Sequence, residues 1–231
     1  MPLLVPILPL WDGQVAEPDT RRDGGVRVYA PDYRSLVVDY LQLGIEWIHF
    51  IDLDGQRAAR PVQSCLVTEL AVHKETMVSV EGGIRNWQHA RMYLGQAVDL
   101  VYLGGRDQWG QSFPGVGQRE VEQRVMYEVV LPQSAVDYPE LGVDRVRSLA
   151  SSAVIPVITG PLPLHVLVRV ANMAGVELRR KLVVRAQQVP DLAAWHHGLR
   201  LTGGFIQAVM IDHGVLEPLG LAAAVSMALG A

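Results

Sequence analysis

The chain has 231 residues, 49% of them apolar and 19% charged. It can therefore bury a sizeable core in one large domain, and it lacks the composition of a disordered protein. The formal charge is −4, with Lys and Arg scattered along the chain, which excludes the concentrated basic surface that binds nucleic acid. The single cysteine, Cys65, cannot form an internal disulfide and points to a reducing compartment.

The opening MPLLVPILPLW is apolar, but it has no basic leader and is interrupted by Pro2, Pro6 and Pro9. A signal peptide needs a charged start, and a membrane span needs about twenty apolar residues. The expectation is a cytoplasmic protein without membrane contact.

Apolar runs then recur at 3–10, 47–53, 77–80, 100–103, 125–131, 154–159, 181–186 and 205–211. Longer stretches with helical periodicity separate them, including 33–43, 63–72, 87–95, 164–174 and 192–201. This alternation is the pattern of parallel βα units, and runs nearly continuous in Val, Ile and Leu are strands buried on both faces. Eight units favour closure into a (β/α)8 barrel over an open doubly wound sheet, with 1–231 as a single domain. Gly44, Gly95 and Gly175 read as helix C-caps. The first unit is longer than the rest. Residues 105–124, which include RDQWGQSFPGVGQR, give little helical pattern and are expected as a loop over the barrel mouth. The run VIPVITG (154–160) fits either the sixth or the seventh strand. The best internal match, MVSVEGGI against AVIPVITG, is offset by well under half the chain, so no half-barrel repeat is legible.

Two segments carry chemistry. In GIEWIHFIDLDGQRAARPVQ (44–63), Asp52 and Asp54 lie two apart, so on a strand both carboxylates face the same way at the catalytic rim. The competing reading has each of them capping the next helix or pairing with Arg57 or Arg60. In VSVEGGIRNW (78–87), Gly82 and Gly83 follow a strand and precede a helix, where backbone N–H groups and the helix dipole suit an anion. Gly104 and Gly105 repeat that arrangement after the next strand, so these four glycines are the phosphate-binding candidates. Asp54 and Arg85 are the substrate-binding candidates. A Gly83→Val change is expected to weaken phosphate binding with little effect on folding.

These segments resemble the HisA/HisF family of histidine biosynthesis, in its ProFAR isomerase branch. IHFIDLDGQRAARPVQ (48–63) is similar to that branch's HVVDLDGAKAGRPVN, and VEGGIRNWQHA (80–90) to its GGGIR turn with Glu81 in place of the first glycine. PILPLWDGQV (6–15) is similar to its PAIDLKDGKV. The resemblance covers roughly residues 3 to 105. It implies a (β/α)8 barrel that binds a substrate with two phosphates, one at each half. The implied reaction is an Amadori rearrangement of an aminoaldose to an aminoketose, with aspartates on strands one and five as general acid and base.

With the Asp-Gly pair aligned at Asp12 and Gly13, the first catalytic position falls on Pro9, which cannot move a proton. The fifth strand, VMYEVVL (125–131), offers Glu128 and no aspartate. The later phosphate turns are replaced by RAQQ (185–188) and IDHGVLE (211–217), and Gly160–Pro161 is the only comparable turn there. The catalytic candidates are therefore Asp12, Asp52, Glu81 and Glu128. His49 sits mid-strand and reads as a packed core histidine. His196 and His197 are adjacent on a helix and cannot share a metal, and the Asp212-His213-Gly214 end competes with a capping role. No metal and no cofactor are expected.

Three functions follow, in this order: a HisA-like phosphosugar-binding barrel that has left isomerisation, an active intramolecular isomerase using displaced carboxylates, and a non-catalytic structural or regulatory subunit. The expected ligand is a small phosphorylated sugar or ribonucleotide-like molecule. A protein partner or a homo-oligomer stays open.

Overall fold

The computed structural model of the chain describes residues 3–19, 25–30, 32–72, 76–103, 124–147, 155–178, 182–187 and 204–212, with single positions at 197, 201, 214, 216, 222, 223 and 226. Ten strands form one sheet: β1 Leu3–Trp11, β2 Gln14–Asp19, β3 Gly25–Ala30, β4 Trp47–Asp52, β5 Met77–Glu81, β6 Leu100–Leu103, β7 Val125–Val130, β8 Ile155–Thr159, β9 Leu182–Ala186 and β10 Ile206–Asp212. Their order is β10-β9-β8-β7-β6-β5-β4-β1-β2-β3, with a further β10–β1 pairing. The register is parallel between β1 and β4, β4 and β5, β5 and β6, β7 and β8, β8 and β9, and β9 and β10. Eight strands with helices between them, joined last to first, make the fold a (β/α)8 barrel. Ile155–Thr159 is its sixth strand, which resolves the VIPVITG ambiguity.

The long first unit holds an antiparallel insertion. β2 and β3 form a hairpin paired from Ala16↔Val28 to Asp19↔Gly25, and β2 pairs antiparallel with the end of β1 through Leu10↔Val15 and Trp11↔Gln14. The link from β1 to β2 is Asp12–Gly13, with φ +48° and +74°. Two residues at positive φ suit the two-residue turn whose twist matches the strands it joins, and Asp-Gly is its preferred pair. The sequence reading noted the longer first unit without the hairpin that fills it.

The chain divides into two compact units, Ile7–Gly117 and Gln118–Ala231 together with Met1–Pro6. In the first, α1 Tyr33–Gln42 is capped by Asp32, which accepts from Arg34 N, and buries Tyr33, Val37 and Tyr40 at helical spacing. α2 Leu53–Ala58 is short, α3 Ser64–Val72 buries Val67, Leu70 and Ala71, and α4 Trp87–Leu94 buries Ala90, Tyr93 and Leu94. Cys65 is exposed on α3.

In the second unit, a 3-10 turn Gln133–Val136 leads into α5 Pro139–Arg147, and α6 Leu164–Leu178 follows β8. The expected helix at 192–201 and the loop at 105–124 lie almost wholly outside the described residues. Among the described residues, no helix is long and apolar enough to cross a membrane.

Two of the three expected C-caps hold. Gly44 has φ +80° just beyond α1, and Gly95 is the C-cap of α4. Gly175 is corrected: it lies inside α6, and a Cβ there would press into the Phe205 side chain. Its glycine is a packing requirement, because a helix can approach the segment before β10 that closely only where no side chain intervenes. Gly175→Leu is therefore expected to lower stability by about 2 kcal/mol, read as an earlier midpoint in urea unfolding.

Candidate functional site

The two faces of β4 and β5 differ in kind. Ile48, Phe50 and Val78 face α1 and α3, where they line an apolar crevice with Val37 and Leu70. Alternation turns Trp47, His49 and Ile51 of β4 to the opposite face, together with Ser79 and Glu81 of β5. In the register, Ile7 lies beside His49 and His49 beside Ser79, while Pro9 lies beside Ile51 and Ile51 beside Glu81.

His49 and Ser79 are fully buried and Glu81 is 6% exposed. Trp47 Nε1 donates to Ser79 Oγ at 2.7 Å, and Ser79 Oγ lies 2.8 Å from His49 Nδ1. An indole N–H can only donate. Ser79 therefore accepts from Trp47, and its own proton is available to His49 Nδ1. His49 Nε2 faces Glu81 Oε2 at 3.7 Å. The Tyr102 ring packs at 5.5 Å from the His49 ring. His49 is thus a core histidine, as expected, but one joined to a polar row that ends at a rim carboxylate.

Asp52 does different work. It is fully buried on the helix side, where a carboxylate persists only if hydrogen bonds replace its water. Four donors do so: Gly55 N at 2.6 Å on Oδ1, and Val62 N at 2.7 Å, Gln63 N at 2.9 Å and Tyr93 Oη at 3.3 Å on Oδ2. Burial first, and the Asp52 carboxylate second, push the Tyr93 hydroxyl well above its ordinary range, so it stays protonated and donates.

Asp54 is not on the strand, contrary to the alternation expected from spacing. β4 ends at Asp52, and Asp54 lies in the first turn of α2, because Asp52 caps that helix and diverts the backbone. Asp54 Oδ2 accepts from Asp12 N at 2.7 Å and Gln63 Nε2 at 2.5 Å. The expected candidates Asp12, Asp52 and Asp54 are therefore brought together, linked through hydrogen bonds to backbone and to Gln63.

The Gly82–Gly83 turn packs against this structure. Both residues have positive φ, +100° and +69°, and a Cβ on Gly82 would run into the Asp52 carbonyl, one on Gly83 into the Arg60 carbonyl. The expectation that Gly83→Val leaves folding intact is corrected for that reason: the position is strained for any side chain and has no room for one. His89 Nδ1 lies 3.0 Å from Gly83 O and 3.3 Å from Arg85 N. Nδ1 donates to the Gly83 carbonyl in one tautomer and accepts from Arg85 N in the other. Asn86 caps α4 by accepting from His89 N at 2.9 Å. A cavity of about 300 Å³ opens here, lined by Gln56, Glu81, Gly82, Gly83, Arg85 and Tyr102.

Gly104, Gly105, His196 and His213 lie outside the described residues. Glu128 is half-buried in β7, beside Val157 of β8, in the other unit. Asp212 ends β10, and His197 is exposed with its ring 5.7 Å from that of His165. Among the described residues, no three His, Cys, Asp or Glu side chains group to hold a metal. Sequence reasoning missed Ser79 and Tyr102 as neighbours of His49, and Trp47 as the donor to Ser79. Period-two alternation on β4 and β5 was the available signal.

Fold and site together define a (β/α)8 barrel whose first half carries a strand-end carboxylate, a glycine turn and a small polar cavity. Residues 3–108 match the family of histidine biosynthesis proteins. Over that stretch the chain is similar to the HisA/HisF family. Similar proteins include 1-(5-phosphoribosyl)-5-((5-phosphoribosylamino)methylideneamino)imidazole-4-carboxamide isomerases of three bacteria. The Bacillus velezensis protein is 37% identical over 81 residues, 35% of this chain and 33% of the relative. The Aliarcobacter butzleri protein is 25% identical over 101 residues, covering 44% and 43%. That of Rhizobium meliloti is 29% identical over 102 residues, covering 44% and 41%. The matched part thus spans under half the length of these relatives.

Two substitutions test the framework. Asp52→Ala strips a buried hydroxyl and three backbone N–H groups of their acceptor, and should destabilise the protein by about 3 kcal/mol in urea unfolding. Gly83→Val should lower the thermal midpoint with no ligand present, by a change equivalent to about 2 kcal/mol or more.

Proposed function

We propose that residues 1–231 form one barrel domain that binds a small phosphorylated sugar or ribonucleotide-like ligand at the Gly82–Gly83 turn. On this reading it is a HisA-like, cytoplasmic pseudoenzyme candidate that has left the Amadori isomerisation of ProFAR. The observation that carries the reading is Pro9. Its register beside Ile51 places it in the strand-end row with Glu81, where the resemblance implies an aspartate. Loss of a catalytic acid or base typically lowers rate by about 10² to 10⁴. In support of phosphate binding, the turn adjoins a cavity lined in part by Arg85, and a guanidinium suits a phosphate by charge and geometry. Gly104, Gly105 and Asp54 complete the proposed ligand contacts.

A second reading, an active isomerase, draws on Glu81, whose carboxylate stands in the Pro9 row at the end of the His49–Ser79 chain. Asp12 is less suited to that role, because it lies in a hairpin turn and is exposed. Asp52 already accepts four hydrogen bonds.

The test uses the full chain with ProFAR as substrate and ribose 5-phosphate as ligand. The expected outcome is no turnover, together with a rise in thermal midpoint at saturating ribose 5-phosphate. At a hundred times Kd the stabilisation is about 2.7 kcal/mol, which moves the midpoint by a few degrees. Turnover at rates usual for an isomerase would support the second reading. Neither turnover nor a shift would leave a structural or regulatory role.

A further inference from the structure

His89 sits half-buried in the first turn of α4, beside the glycine turn. Its Nδ1 is shared by two groups that make opposite demands. It lies 3.0 Å from the Gly83 carbonyl oxygen, which can only accept, and 3.3 Å from Arg85 N, which can only donate. One ring nitrogen cannot serve both, because it carries either a proton or a lone pair. With a lone pair, Nδ1 takes the Arg85 N–H and meets the Gly83 oxygen with repulsion. With a proton, it donates to Gly83 and leaves the Arg85 N–H without that acceptor.

Arg85 belongs to the turn and, with Gly82 and Gly83, lines the cavity of about 300 Å³. An anion held at that turn is an acceptor for the released N–H, so it favours a proton on Nδ1. Two forms of the ring carry one, a neutral tautomer and the imidazolium, and an anion prefers the second by charge. Without an anion the imidazolium is disfavoured, because the first turn of α4 is the positive end of its dipole. The charged groups of the surrounding elements do not change this. Arg85 on the turn, Arg91 on α4 and Arg60, whose carbonyl packs at Gly83, are cationic. Glu81 ends β5, Asp52 ends β4 with four donors on its carboxylate, and Asp99 before β6 accepts from Val78 N. Among the described residues no carboxylate lies within ion-pair distance of His89. A bound anion is therefore the charge that offsets a proton there.

We infer that His89 is a proton-operated switch on the glycine turn, whose protonated form releases the Arg85 N–H to a bound phosphate. The inference rests on the phosphate reading of the Gly82–Gly83 turn and adds how that site is regulated. His89 is a positioning residue, since it touches the turn and not the ligand. Binding and protonation are reciprocal: affinity rises as pH falls through the range in which an imidazole takes up a proton, and binding draws a proton from solution.

The test is calorimetric titration of the full chain, as wild type and H89Q, with ribose 5-phosphate at about pH 5.5 and about pH 8. Glutamine keeps a donor and an acceptor but exchanges no proton in that range. The ligand's own titration and that of His49 are common to both proteins, so the ratio of their affinities isolates His89. That ratio, wild type over H89Q, should be at least about fivefold larger at the lower pH. A thermal melt of each protein at both pH values checks folding, and H89N takes the place of H89Q if that variant is unfolded. A ratio that is the same at both pH values overturns the inference and leaves phosphate binding standing. If neither protein binds at either pH, the phosphate reading of the turn falls, and the inference falls with it.

Discussion

The rim of the first unit depends on one buried carboxylate. Asp52 ends β4, caps α2, accepts from the backbone at residues 62 and 63, and takes a hydrogen bond from Tyr93 on α4. A carboxylate out of water is costly unless its lone pairs are used, so those four donors have little freedom to be elsewhere. The chain after β4 is thereby folded back on the strand end. Asp54 extends the same arrangement by holding Asp12 N and the Gln63 side chain.

This explains why the two segments with the strongest resemblance occur together. The DLDG and GGI stretches are parts of one packed object: Gly82 lies against the Asp52 carbonyl and Gly83 against Arg60 and Pro61. The glycines are required by that contact before any ligand is considered. In the second unit, Gly160 after β8 serves a similar purpose, with φ +155° and room for no Cβ beside the Leu131 carbonyl. A Gly-rich turn in this fold is therefore first a condition of close backbone packing, and the capacity to approach an anion comes with it.

Period-two alternation separates structure from chemistry on β4 and β5. Ile48, Phe50 and Val78 hold the helices, while Trp47, His49, Ser79 and Glu81 form a polar row on the other face. Pro9 lacks a proton to exchange, and Glu81 brings a carboxylate to the same row. In the first unit, packing and the groups that face the site are thus carried by opposite faces of the same two strands.

The sequence by itself determined the eight parallel strands, whose apolar runs match the observed strands to within a residue or so at each end, because a strand buried on both faces has few polar positions to interrupt it. It also showed that Pro9 cannot act as an acid, since proline has no ionisable group. Only the tertiary structure decided the rest. Asp12–Gly13 reads alike as a barrel loop or a hairpin turn until β2 is seen paired with β1. Asp52 and Asp54 look equivalent in sequence, and the capping of α2 separates them. Gly175 looks like a cap until Phe205 is found against it. The reason is common to all three: a residue's neighbours along the chain set its local preference, but its hydrogen-bond partners and the space around it come from segments the chain brings back from elsewhere.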